Sequence, residues 1–349
     1  MSKNNQNNAK PSVNKQNQKI DLTTQRSNQK KQKVIMRKKG GEVTLPGVVG
    51  IINPFDPSAE GLKLPDATAY PSLPFHVKSY YAFSTSATTG AFAASFLPFG
   101  SYAFEAPASV TAAGVMTWSS TDSASTVTNW SSYVGAMQLY RTVVGGVKII
   151  VTSALLSTQG KLVICHTPID NIITQGGNTY FPTNLSQMIN MPYSEEYSLA
   201  ELTEDELIIP FRRYSDVSEH YRDVIFPQPA TLSSISEENA CGWCAITICI
   251  VGAQLTAPVS VDSEHILICE GLELGTDTIL VTSPAASFDP AAMSAIYQVN
   301  QAMPVANVAK DPEQGTWVDS AMRKTKNTFK TAAKVGGFLS EMAALSVML

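Results

Sequence analysis

The sequence predicts an all-β protein: an eight-stranded jelly-roll sandwich with a disordered basic arm ahead of it and helices at its C-terminal end. Short runs rich in Val, Ile, Tyr and Phe recur between Ser/Thr/Gly/Pro clusters, the pattern of strands joined by turns. Helix-forming composition appears only late, from about residue 291. Charge is also split: the first 40 residues hold 11 Lys/Arg against the single acid Asp21, whereas the other 309 hold 14 against 28 Asp/Glu. These observations divide the chain into a basic arm (1–40), an extended surface or inner segment (41–74), a jelly-roll domain (75–285) and a helical region (286–349).

The arm is rich in Asn, Gln, Lys and Ser, lacks aromatic residues and scatters its few aliphatics, so it cannot bury enough apolar surface to offset the entropy of ordering. A flexible polycation tied to an acidic body suits a polyanion. Nucleic acid is the expected one, because neutralising phosphates releases counterions and needs no fixed geometry. Lys30, Lys31, Lys33, Arg37, Lys38 and Lys39 are the densest cationic run and the candidate RNA contacts. The bland alternative is a solubilising or localisation tail.

Residues 41–74 are Gly- and Pro-rich and are expected to wander over the surface. Strands are then expected at His76–Ser84, Ala91–Phe99, Ala136–Ser153, Lys161–His166, Glu206–Arg212, Val224–Phe226, Gly242–Gly252 and His265–Leu274. The runs VGGVKIIVTS and CGWCAITICIVGA are almost continuously apolar, as in strands covered on both faces. Eight such strands fit two packed sheets, with long loops at Ser101–Tyr133 and Pro168–Glu206. Gly145, Gly146 and Gly160 are read as turn glycines. Cys165, Cys241, Cys244, Cys249 and Cys269 lie in apolar runs and are read as buried thiols; the Cys241/Cys244 pair has no second pair to make a zinc site.

No run of 18 apolar residues and no signal-peptide core occur, which points to synthesis in a cytosol. Residues 291–309 and 315–335 are expected to be helices. In the second, Trp317, Ala321, Phe329, Ala332 and Leu339 can share one face while Arg323, Lys324, Lys326, Lys330 and Lys334 fill much of the rest. Such a basic amphipathic helix can lie on a membrane, pack along nucleic acid, or dock under its own domain. Glu195, Glu196, Glu201, Glu204, Asp205 and Glu206 crowd one expected loop, either a solvated acidic loop or carboxylates that two copies could use to hold a hard cation such as calcium. His76, His166, His220 and His265 are scattered, and no G-x-S-x-G, Walker A or dinucleotide fingerprint occurs, so no turnover enzyme is indicated.

Basic arm, jelly-roll pattern and late basic helix occur in that order in capsid proteins of small positive-strand RNA viruses, and four islands make the resemblance more specific. KLPD at Lys63–Asp66, LYRTVVGGVKIIVTSALLSTQGKLVICHTP at Leu139–Pro168, GWCAITICIVGAQLTAP at Gly242–Pro258 and YQVNQAMPVANVAKDPEQGTW at Tyr297–Trp317 resemble segments of nodavirus-like capsid proteins. The resemblance implies a chain that self-assembles into an icosahedral shell, T=3, around single-stranded RNA. It implies virions assembled in the host cytoplasm, calcium between subunits, and contact with a host membrane during entry.

It also implies one self-cleavage near the C-terminus, in which an Asn side-chain amide attacks its own peptide carbonyl while a buried Asp transfers the proton. Asp66 is the candidate base by this resemblance, and a turn residue after Pro65 by its local sequence. Where the family has Asn-Ala, this chain has Glu313, Gln314 and Gly315; Asn307 and Gln314 are the alternative scissile positions, and a six-membered ring from Gln is slower to form. The membrane-active residues implied are Trp317, Arg323, Lys324, Lys326, Phe329, Lys330 and Lys334. A non-viral β-sandwich module binding RNA or glycan through a basic tail is the competing reading. A hydrolase on a β scaffold ranks behind both, since no nucleophile and base can be named.

Overall fold

The computed structural model describes residues 50–65, 71–118, 126–154, 158–169, 181–203, 205–224, 242–273 and 290–309. Its strands in chain order are β1 Leu73–Ser84, β2 Phe92–Phe96, β3 Phe104–Glu105, β4 Ser109–Val110, β5 Met116–Thr117, β6 Met137–Val151, β7 Lys161–Pro168, β8 Ser194–Ser198, β9 Glu206–Pro210, β10 Arg222–Asp223, β11 Cys244–Val251, β12 Ser260–Glu273 and β13 Asn307–Ala309. One sheet runs β1-β12-β6-β9-β13, with β10 also against β6; the other runs β3-β2-β11-β7-β8. Among the long strands β1 and β2 fall in different sheets, as do β6 and β7, β8 and β9, and β11 and β12. That alternation of antiparallel strands between two packed sheets is the jelly roll.

The expected eight strands are largely these, with one exchange. Residues 194–198, read from sequence as part of an acidic loop, form β8 at the edge of the second sheet, paired with β7 from Ser194↔Cys165 to Ser198↔Lys161. The glutamates of SEEYS hid its alternation, and charge on an edge strand is how natural sheets discourage further pairing. Conversely, the strand expected at Val224–Phe226 is a two-residue ladder, Arg222↔Tyr140 and Asp223↔Leu139, continued by the Val224 N–H donating to the Gln138 carbonyl. Residues 225 and 226 lie outside the described set.

Phe96, Ile149, Leu162, Ile248 and Leu267 fill the space between the sheets. The outer faces are also apolar and each has its own cover. Val143, Val144 and Ile268 on the first sheet are covered by Ile51, Ile52 and Leu64 and by Met293, Ile296 and Val299 of the Pro290–Ala302 helix. Ala93, Val163, Cys165 and Cys249 on the second are covered by Met116 of the β4–β5 hairpin and Met188 of the Leu185–Ile189 helix. Both continuous apolar runs therefore belong to strands buried on two sides, as their composition predicts. The expectation that residues 41–74 stay on the surface fails for 50–65, because Ile51, Ile52 and Leu64 are the apolar groups available to dry the first sheet's outer face.

The helix expected over 291–309 ends at Ala302; Pro304 follows, and the chain re-enters the first sheet as β13 beside β9. The helix expected over 315–335 lies outside the described residues. Gly145 and Gly146 are not turn glycines but sit inside β6. A Cβ on Gly145 would stand 2.8 Å from the Ile266 carbonyl oxygen, and one on Gly146 2.7 Å from that of Ile209 and 2.8 Å from Pro54. Gly160, at φ +106°, does make the turn into β7. Cys165, Cys244, Cys249 and Cys269 are buried free thiols, with burial pushing Cys165 and Cys249 up to about 12. Cys241 is outside the described residues.

Two histidines bridge the sheets in opposite senses. His166 on β7 bonds through Nε2 to the Pro210 carbonyl at the end of β9 (3.0 Å), and His265 on β12 bonds through Nε2 to the Leu97 carbonyl just past β2 (3.1 Å). Each carbonyl can only accept, so each ring is the neutral Nε2–H form, and both Nδ1 atoms are buried without a partner. Burial pushes His166 down to about 3, helped by the Arg212 charge against the Pro210 bond, and burial pushes His265 down to about 3 against its bond to Leu97. The unfolded chain takes up these protons near pH 6.5 and the folded one only near 3, so stability is full above pH 6.5 and falls as pH drops. Between pH 6.5 and 5 the slope should reach roughly 1.4 kcal/mol per pH unit per histidine. Denaturant unfolding at a series of pH values measures it, and a flat profile over that window would contradict buried neutral rings.

Candidate functional site

Arg141 and Glu270 are charged residues inside apolar strands, directly opposite each other on β6 and β12, and both are buried. A charge in such a place needs a partner. Arg141 Nε donates to Glu270 Oε2 at 2.7 Å and its Nη2 joins the same oxygen, while Nη1 donates to the Glu219 carbonyl (3.1 Å) and the guanidinium lies 4.4 Å from the Tyr221 ring centre. Glu270 also accepts from the Leu64 N–H (3.3 Å) and the Ser72 hydroxyl (3.1 Å), and Lys63 Nζ donates to the Ser72 carbonyl (2.8 Å). Burial and the Arg141 charge hold the Lys63 ammonium below its ordinary pKa, against the pull of Glu270. The pair thus pins both flanks of residues 66–70, the segment containing Asp66, to the first sheet; Asp66 itself is outside the described residues.

A second polar joint fixes the Pro290–Ala302 helix. Arg212, just past β9, donates from Nη1 to the Asn300 carbonyl (2.9 Å) and from Nη2 to the Met303 carbonyl, capping the helix C-terminus with positive charge. The Asn300 carboxamide pairs with the Arg213 main chain, accepting from its N–H (3.1 Å) and donating to its carbonyl. Arg213 is buried, donates from Nη2 to the Thr142 and Val143 carbonyls and lies 4.6 Å from the Trp243 ring centre. Burial and the nearby Arg141 push it down to about 10, against the attraction of Tyr297, Glu219 and Glu270. Tyr297 donates to Glu219, and burial together with that carboxylate holds its hydroxyl well above its ordinary pKa.

The acidic residues singled out from sequence do not converge within one chain as far as they are among the described residues. Glu195 accepts from Tyr197 and the Val305 N–H, Glu196 pairs with Lys161 at 3.0 Å, and Glu206 pairs with Lys148 at 3.7 Å. Glu201 is exposed and Asp205 half-buried; Glu204 is outside the described residues. Among the described residues no three His, Cys, Asp or Glu side chains are grouped to hold a metal ion. Asn307, expected near the helix, lies beyond it in β13 opposite Ile208, its Nδ2 donating to the Ile52 carbonyl at 3.4 Å. Gln314, the arm residues Lys30, Lys31, Lys33, Arg37, Lys38 and Lys39, and the residues from Trp317 to Lys334 lie outside the described residues. Among those described, no helix is long and apolar enough to cross a membrane.

Sequence reasoning missed Arg141, Glu270, Arg212, Arg213 and the roles of His166 and His265. The signal was present: a charged or imidazole side chain inside an apolar strand run, as in LYRTVV, HILICEG and LVICHTP.

The sequence matches no family model and no curated protein. Among solved structures, that of infectious bursal disease virus Gt strain is similar over 82% of this chain and 100% of its own, at 8% identity and a TM-score of 0.50. T=1 particles derived from infectious bursal virus align over 83% and 96% at 11% identity and a TM-score of 0.45. Tobacco necrosis virus aligns over 58% and 96% at 12% identity and a TM-score of 0.33. At 8% identity the Gt-strain likeness concerns the fold: this chain shares the two-sheet jelly roll of a virus particle protein.

Arg141→Met should lower unfolding stability by about 3–5 kcal/mol, because it leaves Glu270 buried and uncompensated. Arg141→Met combined with Glu270→Gln should recover much of that loss while keeping an acceptor for Leu64 and Ser72. Chemical denaturation of both variants decides it; a double variant no more stable than the single one would mean that the charge pair is not the source of the cost.

Proposed function

We propose that this chain is the capsid protein of a small icosahedral RNA virus, assembling with copies of itself into a shell and packaging single-stranded RNA through its arm. The observation that carries the reading is a virus-type jelly roll in one chain with a 40-residue polycation. The body between residues 41 and 309 holds 8 Lys/Arg against 24 Asp/Glu, and Arg141, Arg212 and Arg213 among the 8 are buried. Such a surface repels phosphate, so the RNA-binding charge belongs to the arm. Deleting residues 2–39 should leave the sandwich folded and abolish RNA packaging. The log–log salt slope of RNA binding by the intact chain should be at most about −8 if all the arm's basic groups engage single-stranded phosphates. Electron microscopy and the nucleic-acid content of purified particles read the outcome; equal RNA content after the deletion would overturn the role of the arm, and failure to form particles would overturn the capsid reading.

Within that reading the nodavirus-like details are proposals in their own right. A T=3 shell of acidic subunits needs counter-charge where copies meet, and calcium held by Glu196, Glu201, Glu204 and Asp205 from neighbours is one supply. The Trp317–Lys334 segment suits an anionic membrane surface during entry, its apolar face inserted and Arg323, Lys324, Lys326, Lys330 and Lys334 near the headgroups. Self-cleavage assisted by Asp66 would release this segment; at Asn307 it requires the side chain to leave the Ile52 carbonyl and the peptide to leave the β13 ladder. Mature particles should then contain a C-terminal fragment beginning between Val308 and Thr316 that is absent in Asp66→Asn, and chelator should lower their melting temperature. Intact mass and melting curves on the same particles test both; a single full-length species would retire the cleavage, and unchanged melting the calcium.

A further inference from the structure

Residues 304–309 are held differently from the helix that precedes them. The helix buries Met293, Ile296 and Val299 and is locked by the two bonds between Asn300 and the Arg213 main chain. Met303 still belongs to that joint: its N–H donates to the Val299 carbonyl at 2.9 Å, its carbonyl accepts from Arg212, and its side chain is buried in the helix's cluster. Beyond it, the chain is attached to β8, to Ile52 and to β9. The Val305 N–H donates to Glu195 Oε1 at 3.4 Å, the Tyr197 hydroxyl lies 3.5 Å from the Ala306 carbonyl, and Asn307 Nδ2 reaches the Ile52 carbonyl at 3.4 Å. The β13–β9 ladder adds three residue pairs. Between Met303 and β13, the small Val305 and Ala306 lie in the core between the sheets.

Glu195 is the centre of these attachments. One carboxylate oxygen receives the Val305 N–H and the other the Tyr197 hydroxyl. We propose that residues 304–309 form a strap that opens independently of the Pro290–Ala302 helix, with Glu195 of β8 as its clasp and Tyr197 as the group that aims the clasp. Opening frees the chain from Pro304 to Ala309, while the helix and Met303 stay on the first sheet. The device goes beyond the capsid reading and does not depend on it: it is a property of the single folded chain. Burial and the neighbouring Glu195 carboxylate raise the Tyr197 pKa, so the hydroxyl remains a donor.

Hydrogen exchange read by mass spectrometry on the full-length protein tests this. In Glu195→Ala, exchange across 304–309 should accelerate about tenfold or more while peptides of the 290–303 segment keep their protection. Tyr197→Phe should accelerate the strap in the same region by a smaller factor, and Glu195→Gln, which keeps an acceptor for Val305, should stay nearer to the parent. Glu196→Ala, at the neighbouring exposed residue paired with Lys161, should leave the strap unchanged. Unchanged exchange of 304–309 in Glu195→Ala would overturn the clasp, and equal acceleration of strap and helix would overturn their independence. If Glu195→Ala does not fold, the same readings on Tyr197→Phe decide between these outcomes.

Discussion

Two sheets packed against each other dry only their inner faces, and in this chain the outer faces of β6, β7, β11 and β12 are apolar as well. The described segments that cover the sandwich answer that constraint. The Pro290–Ala302 helix and residues 50–65 cover Val143, Val144 and Ile268, and the β4–β5 hairpin and the Leu185–Ile189 helix cover Val163, Cys165 and Cys249. Segments that look like connections are therefore parts of the core. Their positions were dictated by apolar area that would otherwise face water.

Apolar burial has no direction, so it cannot by itself choose how four layers register. Directional bonds at the joints do. His166 and His265 cross between the sheets, and Thr142 on β6 donates to the Pro98 carbonyl at 2.7 Å beside them. Arg141–Glu270 fastens Leu64 and Ser72, while Arg212 and Arg213 fasten the helix. A slip of one residue in β12 would turn Glu270 from its partner to the opposite face, leaving a charge with no compensation.

Charge is segregated as strictly as apolar surface. The arm is all but purely cationic, the body is acidic, and the cations retained in the body mostly serve its own carboxylates and carbonyls: Lys148 with Glu264 at 2.9 Å, Lys161 with Glu196, Arg141 with Glu270. Partial burial works to raise the Glu264 carboxyl, but its bond to Lys148 and the charges of Lys148 and Lys78 outweigh this and hold it below its ordinary pKa. The cations of the body are thus largely taken up inside the body, whereas those of the arm have a single acid, Asp21, beside them in the sequence.

The jelly roll was legible because its strands repeat a strong local signal, β-branched and aromatic runs bounded by turn residues, and because doubly covered strands such as CAITICIV show unbroken hydrophobicity. The charge division of the arm and the helix beginning near residue 290 were equally local, as was the burial of Cys165, Cys244, Cys249 and Cys269. What the sequence could not determine was which segments pair over long distances. SEEYS became a strand because β7 offered it an edge, Gly145 and Gly146 were needed where Ile266, Ile209 and Pro54 approach the backbone, and Asn307 joined a sheet because Arg212 and Asn300 turned the chain there. The same holds for the polar site: Arg141 and Glu270 stand 129 positions apart, and only the β6–β12 register makes them partners. Composition and periodicity are properties of neighbours along the chain, whereas the choice of partner belongs to the folded arrangement, where the cost of an unpaired buried charge is first felt.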